Sequence, residues 1–130
     1  MCPELRQNLI AVAKNMSVKM HETGTYVCIE GPRFSTKAES KMYQQWGADV
    51  VGMTLVPECV LAREAEICYA SISTVTDYDV WKDHPVCVDD VVKIMKTNIE
   101  NVKRIIAETV VRLPNECTCE CNEALKGAFV

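Results

Sequence analysis

The sequence predicts an α/β fold, a parallel sheet with helices packed on both faces in a three-layer α-β-α sandwich. Three observations predict it. Helical and strand patterns alternate as helix, strand, helix, strand, helix, strand, helix, an order that right-handed crossovers turn into a covered parallel sheet. The longest strand candidate, residues 67–75, is apolar without alternation, the pattern of a strand buried on both faces. The breaks between segments carry Gly, Pro or helix-capping residues.

Each element has a local reason. Residues 3–16 read as an amphipathic helix, because Leu5, Leu9, Val12 and Ala13 share a face and Pro3 suits a first helical position. Residues 25–30 form a strand in which Tyr26, Val27 and Ile29 favour the pleat, and Gly31-Pro32 breaks it. Thr36-Lys37-Ala38-Glu39 is a capping box, so a helix runs from there to about Trp46 and stops at Gly47. Residues 49–53 are a short strand, and Pro57 starts a helix over 58–65. Beyond Pro85 a long helix is expected over 89–112, with Val92, Met95, Ile99, Val102, Ile106 and Val110 on its core face, ended by Pro114. The tail, 115–130, holds at most a short helix near 122–126.

Three strands make a thin sheet with two bare edges. The opening Met1-Cys2-Pro3-Glu4-Leu5-Arg6 reads like a helix start in mid-protein. Both features predict an incomplete domain: residues 1–113 as the back portion of a larger fold, and 114–130 as a Cys-rich tail.

Composition narrows the function classes. A chain of 130 residues buries roughly 65–70% of its unfolded surface, enough for a core. Apolar residues make up 48% and charged residues 25%, and the net charge of −4 comes without a basic cluster, which argues against nucleic acid as a partner. No apolar run approaches the roughly 18 residues of a membrane span, and the start lacks the basic head and apolar stretch of a signal peptide. Of eight cysteines, Cys28, Cys59 and Cys68 lie in apolar stretches and act as small hydrophobes, the usage of a reducing cytoplasm. Cys117-Thr118-Cys119-Glu120-Cys121 is different: it could hold a soft metal or form strained disulfides. Three thiols so close lack a fourth ligand and the two-residue gap of a zinc knuckle, so no metal site is expected. His21 and His84 have no ligand-spaced neighbours either.

The chemistry concentrates after the strands. Gly31–Ser35, Met53-Thr54 and Thr76-Asp77-Tyr78-Asp79 each follow one, so all three should emerge on a single rim, where ligands bind in α/β sheets. In an extended segment Asp77 and Asp79 point the same way, about 6–7 Å apart. Such a pair can address two neighbouring polar atoms of one flat ligand: a carboxylic acid donates to a purine ring nitrogen, and a carboxylate accepts from an exocyclic amine. Protonating a departing base is general acid catalysis, helped by burial or a like-charged neighbour. Taken alone, an Asp-Tyr-Asp is more often a turn or helix cap. Met53 alone is more often core filler, and Val88 and Val91 alone are the first turn of a helix. Glu30 and Arg33 are expected to pair and shape their loop rather than touch a ligand.

With Glu30-Gly31-Pro32-Arg33-Phe34-Ser35-Thr36, Met53-Thr54-Leu55-Val56-Pro57-Glu58 and Thr76-Asp77-Tyr78-Asp79 in order and at matching spacing, the chain resembles the C-terminal half of the 5′-methylthioadenosine phosphorylases, within the purine nucleoside phosphorylase family. The resemblance covers residues 1–110 and implies the nucleoside phosphorylase type of sandwich. It also implies roles. Asp77 would hydrogen-bond and protonate N7 of adenine, and Asp79 would accept from the 6-amino group, with Thr76 beside them. The 6-oxopurine enzymes place Asn where Asp77 stands, since a carboxylate repels a carbonyl oxygen. Met53 would lie along the ribose, Thr54 would help hold phosphate, and Phe34 would pack on the purine beside the specificity position Ser35. Val88 and Val91 would face the 5′-methylthio group, apolar lining being worth roughly 1–3 kcal/mol per well-fitted group.

The implied reaction is attack of phosphate, a co-substrate, on C1′ of 5′-methylthioadenosine, with no cofactor and no metal, in a cytoplasmic homo-oligomer, a trimer or hexamer. The family's phosphate site draws mostly on the N-terminal half, whose Gly-rich turn and Arg-His pair are not in this sequence. The expectations therefore include two alternatives: a fragment that binds adenine nucleosides or joins an oligomer without catalysis, and a nucleosidase that uses water. The latter usually carries Glu after the ribose-contacting Met, where this chain has Thr54. Some thermophile relatives carry Cys-X-Cys near this end and use disulfides for stability.

Overall fold

Proline and capping residues start the helices where the local sequence places them. The computed structural model describes residues 1–78, 88–116 and 118–128. Along the chain run α1 (Pro3–Asn15), β1 (Tyr26–Cys28), α2 (Lys37–Gln45), β2 (Val50–Gly52), α3 (Glu58–Glu64), α4 (Val88–Arg112) and a short 3-10 turn, Glu120–Glu123. The class is α/β: helices and a small two-stranded parallel sheet. Two units are distinguishable: Met1–Met20, Leu55–Ile72 and Asn101–Val130 form one, and His21–Thr54 with Ser73–Glu100 form the other.

In the first unit, α1 begins on Cys2, whose sulfur accepts from the Leu5 amide while Pro3 takes the first helical position. The face carrying Ile10, Val12 and Ala13 is buried. Val12 and Ala13 meet Ile105 of α4 in a small core, against which Leu9, Met16, Val18, Met20 and Ile72 pack. Thr109, also buried, returns its hydroxyl to the Ile105 carbonyl at 2.7 Å, so its polarity costs the core little. The residues 118–128 fold back onto this unit: Leu125 N–H donates to Glu66 at 3.1 Å, and Thr118 donates to Glu4.

The second unit holds the sheet. β1 and β2 pair in parallel with Tyr26 opposite Val50, Val27 opposite Val51 and Cys28 opposite Gly52. Between them α2 starts in the predicted capping box and ends with Gly47 at φ +80°, a left-handed conformation that suits glycine. Asp49 ties the entry of β2 to that of β1, accepting from Thr25 N–H at 2.7 Å.

Three expectations fail. Residues 67–75 form no regular element: no ladder forms there among the described residues and none is fully buried. Their carbonyls find other donors: Tyr69 O accepts from Cys2 N–H at 2.7 Å, and Val75 O from the Asn98 side chain at 3.2 Å. The face assigned to α4 is also wrong, because Val92, Met95, Ile99, Ile106 and Val110 are exposed while Ile105 and Thr109 are buried. The helix is apolar on more than one side, and periodicity alone chose the other stripe. The tail helix is a 3-10 turn two residues earlier than expected, at Glu120–Glu123.

Candidate functional site

Parallel pairing delivers the chain after β1 and the chain after β2 to the same end of the sheet. The ladder extends one bond past β1, with Ile29 N–H donating to Gly52 O at 2.9 Å. Immediately beyond, the Met53 thioether lies over Gly31: a Cβ on Gly31 would stand 2.9 Å from the Met53 sulfur. Only a residue without a side chain admits that approach. Gly52 is constrained in the same way by the Tyr26 ring, which occupies the space its Cβ would need. The two predicted loops therefore meet, with Met53 half-buried and Thr54 exposed beside it.

The loop after β1 is fixed by Glu39. Arg33 makes a two-pronged pair with it, at 2.8 Å from Nη1 and 2.6 Å from Nη2, and also donates to the Phe34 carbonyl at 3.1 Å. The same carboxylate accepts from Thr36 N–H at 2.7 Å and from the Thr36 hydroxyl at 2.9 Å. These donors, Arg33 foremost, hold the Glu39 carboxyl down to about 2, and the pairing raises the Arg33 guanidinium above its ordinary value. The expected partner Glu30 is thus replaced by Glu39, although the loop-shaping role of Arg33 stands. The signal was present in the sequence: the capping box already aims Glu39 back at Thr36, within reach of Arg33.

Held this way, the loop presents opposite surroundings at adjacent positions. Phe34 is 81% exposed, an aromatic ring standing in solvent. Ser35 is 5% exposed, and its hydroxyl has no hydrogen-bond partner among the described residues. A buried hydroxyl left so costs free energy unless something outside the described set meets it. An open cleft of ≈ 620 Å³ lies alongside, lined by Ile29, Glu30, Gly31, Pro32, Arg33 and Tyr43. Neither Phe34 nor Met53 lines it.

The third motif is described up to Tyr78. Thr76 is half-buried and its hydroxyl donates to Asp77 Oδ2 at 2.8 Å, which fixes the rotation of that carboxyl group. Asp77 itself is exposed, since residues 67–75 that lead to it form no covered strand. Asp79 lies outside the described residues, as do His84 and the side chain of Val88. Val91 is half-buried in the first turn of α4.

Comparison with known proteins adds the context. The family described as "Phosphorylase superfamily" matches residues 1–111. The chain belongs to the phosphorylase superfamily. Within the superfamily it is 54% identical to the S-methyl-5′-thioadenosine phosphorylase of Nitrosopumilus maritimus over 98% of its own length and 48% of that protein's. It is likewise 54% identical to the enzyme of that name from Pyrococcus horikoshii, over 99% of this chain and 50% of that one. Among solved structures, a methylthioadenosine phosphorylase from an antarctic soil metagenomic library superposes with a TM-score of 0.89 at 39% identity, covering 98% of this chain and 46% of that chain. A mutant adenosine/methylthioadenosine phosphorylase from Schistosoma mansoni, solved with methylthioadenosine, gives 0.85 at 41%, covering 98% and 51%. The fold is thus that of the nucleoside phosphorylases, and the chain spans about half the length of the curated relatives it matches.

Proposed function

We propose that the protein carrying this chain splits 5′-methylthioadenosine by phosphate into adenine and 5-methylthioribose 1-phosphate, a reaction of purine and methionine salvage. Phosphate oxygen attacks C1′, the C1′–N9 bond breaks, and its electron pair leaves with adenine, whose N7 takes a proton from Asp77. The Thr76 hydroxyl holds Asp77 in orientation, Asp79 accepts from the 6-amino group, and Phe34 covers the base beside Ser35. Met53 lies under the ribose, Thr54 contributes to the phosphate, and Val88 and Val91 face the methylthio group. No cofactor takes part, and no metal enters the reaction. Residues 1–113 serve as the back portion of the catalytic domain and 114–130 as its tail, within a cytoplasmic homo-oligomer, a trimer or hexamer.

One observation carries the reading: the Met53 thioether rests on Gly31, joining the loops after β1 and β2, in a chain 54% identical to a protein of that name. Thr54 after Met53 favours phosphate over water as the nucleophile. The test is adenine release from methylthioadenosine by the full-length protein, with and without phosphate, beside calorimetry on the 130-residue chain. Release that depends on phosphate supports the proposal. Equal release without phosphate replaces it with hydrolysis, and binding without turnover in the full-length protein replaces it with a sensor.

A further inference from the structure

Away from the substrate loops, four sulfurs converge. Cys2, Cys68, Cys119 and Cys121 all belong to the first unit, and their Sγ atoms lie within 4.8 Å of one another. Cys119 Sγ stands 3.6 Å from that of Cys2 and 3.4 Å from that of Cys68. Four thiolates at about 2.3 Å around a tetrahedral zinc are about 3.8 Å apart. The two Cys119 separations are close to that figure, and the remaining pairs lie within 4.8 Å.

We propose that Cys2, Cys68, Cys119 and Cys121 form a closed four-thiolate site for zinc. The objection raised by the sequence was that Cys117, Cys119 and Cys121 lack a fourth ligand. The fold removes it, because Cys2 comes from the start of α1 and Cys68 from the segment after α3. Cys119 and Cys121 supply the other two, and Cys117 is not needed.

Two further observations support a metal over incidental thiols. Cys2 caps α1, so its sulfur sits at the positive end of a 13-residue helix and accepts the Leu5 N–H at 3.4 Å. That bond holds the Cys2 sulfur in place at the helix start, within reach of the other three. Burial is graded as well: Cys2 and Cys119 are buried, whereas Cys68 and Cys121 are partly open, which leaves an entry path. The six described cysteines are all thiols, and Cys119 is nearly equidistant from two others rather than pressed against one. That is the arrangement of a shared centre.

Loading breaks four S–H bonds and forms four Zn–S bonds, with the protons passing to buffer and no change of oxidation state. Four protein ligands fill the coordination shell, so the site is structural and has no open position for a substrate. It would tie residues 119 and 121 to the start of α1 and to residue 68.

The test is the metal content of the 130-residue chain, prepared reduced with zinc present and dialysed against metal-free buffer, followed by exchange with Co²⁺. One equivalent of zinc per chain and the intense visible bands of tetrahedral cobalt thiolate are expected. Cys68→Ser and Cys119→Ser should lose both, while Cys28→Ser, Cys59→Ser and Cys117→Ser retain them. No retained metal, or peptide mapping that finds the four cysteines paired as disulfides in freshly prepared protein, overturns the proposal. So does loss of zinc on Cys117→Ser, which would mean a different ligand set. The unsubstituted chain decides the matter even where a serine variant fails to fold. No readout involves methylthioadenosine, so the outcome is independent of the proposed reaction.

Discussion

Replacing Gly52 by alanine tests how the sheet positions Met53. The new Cβ would fall 2.7 Å from Tyr26 Cζ and 3.3 Å from Cε2, and nearer still to the hydroxyl. A methyl group needs about 3.4 Å or more, and a tyrosine ring cannot flex along its own length. Either the ring swings out of its place or β2 shifts from β1. Overpacking of this kind costs about 1–3 kcal/mol. The gain from removing a strand glycine, about 0.5–1 kcal/mol, offsets only part of it. The net cost is then about 0.5–2 kcal/mol, and since each kcal/mol moves the melting midpoint of a chain of this size by about 3–4 °C, a fall of about 2–8 °C is expected by circular dichroism. Tyr26→Phe removes the closest atom, and the double variant should recover about 1 kcal/mol over the sum of the singles. An unchanged midpoint for Gly52→Ala, or strictly additive singles, would refute the packing argument. Because Met53 follows Gly52 directly, KM for the nucleoside should rise along with the loss of stability.

Asp77→Asn in the full-length protein should lower phosphate-dependent adenine release by about 100- to 10,000-fold and shift relative preference toward inosine; undiminished release removes Asp77 from the acid role. Glu39 has its pKa lowered from 4.5 to about 2, so its contribution to stability is complete above about pH 4.5 and is lost as pH falls toward 2. Glu39→Gln should therefore flatten the acid limb of the urea midpoint across that window, and an unaltered limb would mean that the Arg33 pair carries no weight. Ser35→Ala removes a buried hydroxyl without a partner among the described residues, so the chain should gain up to about 1 kcal/mol by chemical denaturation while nucleoside affinity falls. Loss of both together would make Ser35 a purely structural residue.

The sequence made some features legible because they are settled within a few residues. The Thr36–Glu39 box, the stop at Gly47 and the Pro3 start each depend on local backbone chemistry, and each is present. What escaped depends on partners far along the chain. An apolar run such as 67–75 specifies burial but not a neighbour, and its carbonyls went to Cys2 and Asn98 instead of a ladder. A helix with apolar residues on several sides, like α4, does not reveal which stripe meets α1. In the candidate site, the residues of the first two loops were readable as motifs, and parallel pairing brings the loops together at Gly31 and Met53. The partner of Arg33 was misread because charge and proximity fit Glu30 equally well, whereas the fork geometry fits Glu39. The four-sulfur cluster was hidden for a simpler reason: Cys2 is 117 residues from Cys119.

Glu39 serves two masters, as counter-ion to Arg33 and as the lock on the first turn of α2. Neither job can be given up alone. If the Phe34 loop swings away it drags Arg33 from the carboxylate, and the helix start loses its strongest neighbour at the same moment. Hydrogen exchange at the Thr36 and Ser40 amides should accordingly report on the loop, opening in step with it and not as independent fraying. A rim wired in this fashion is expected to open and close as one piece, because its ion pair and its helix cap share a single carboxylate.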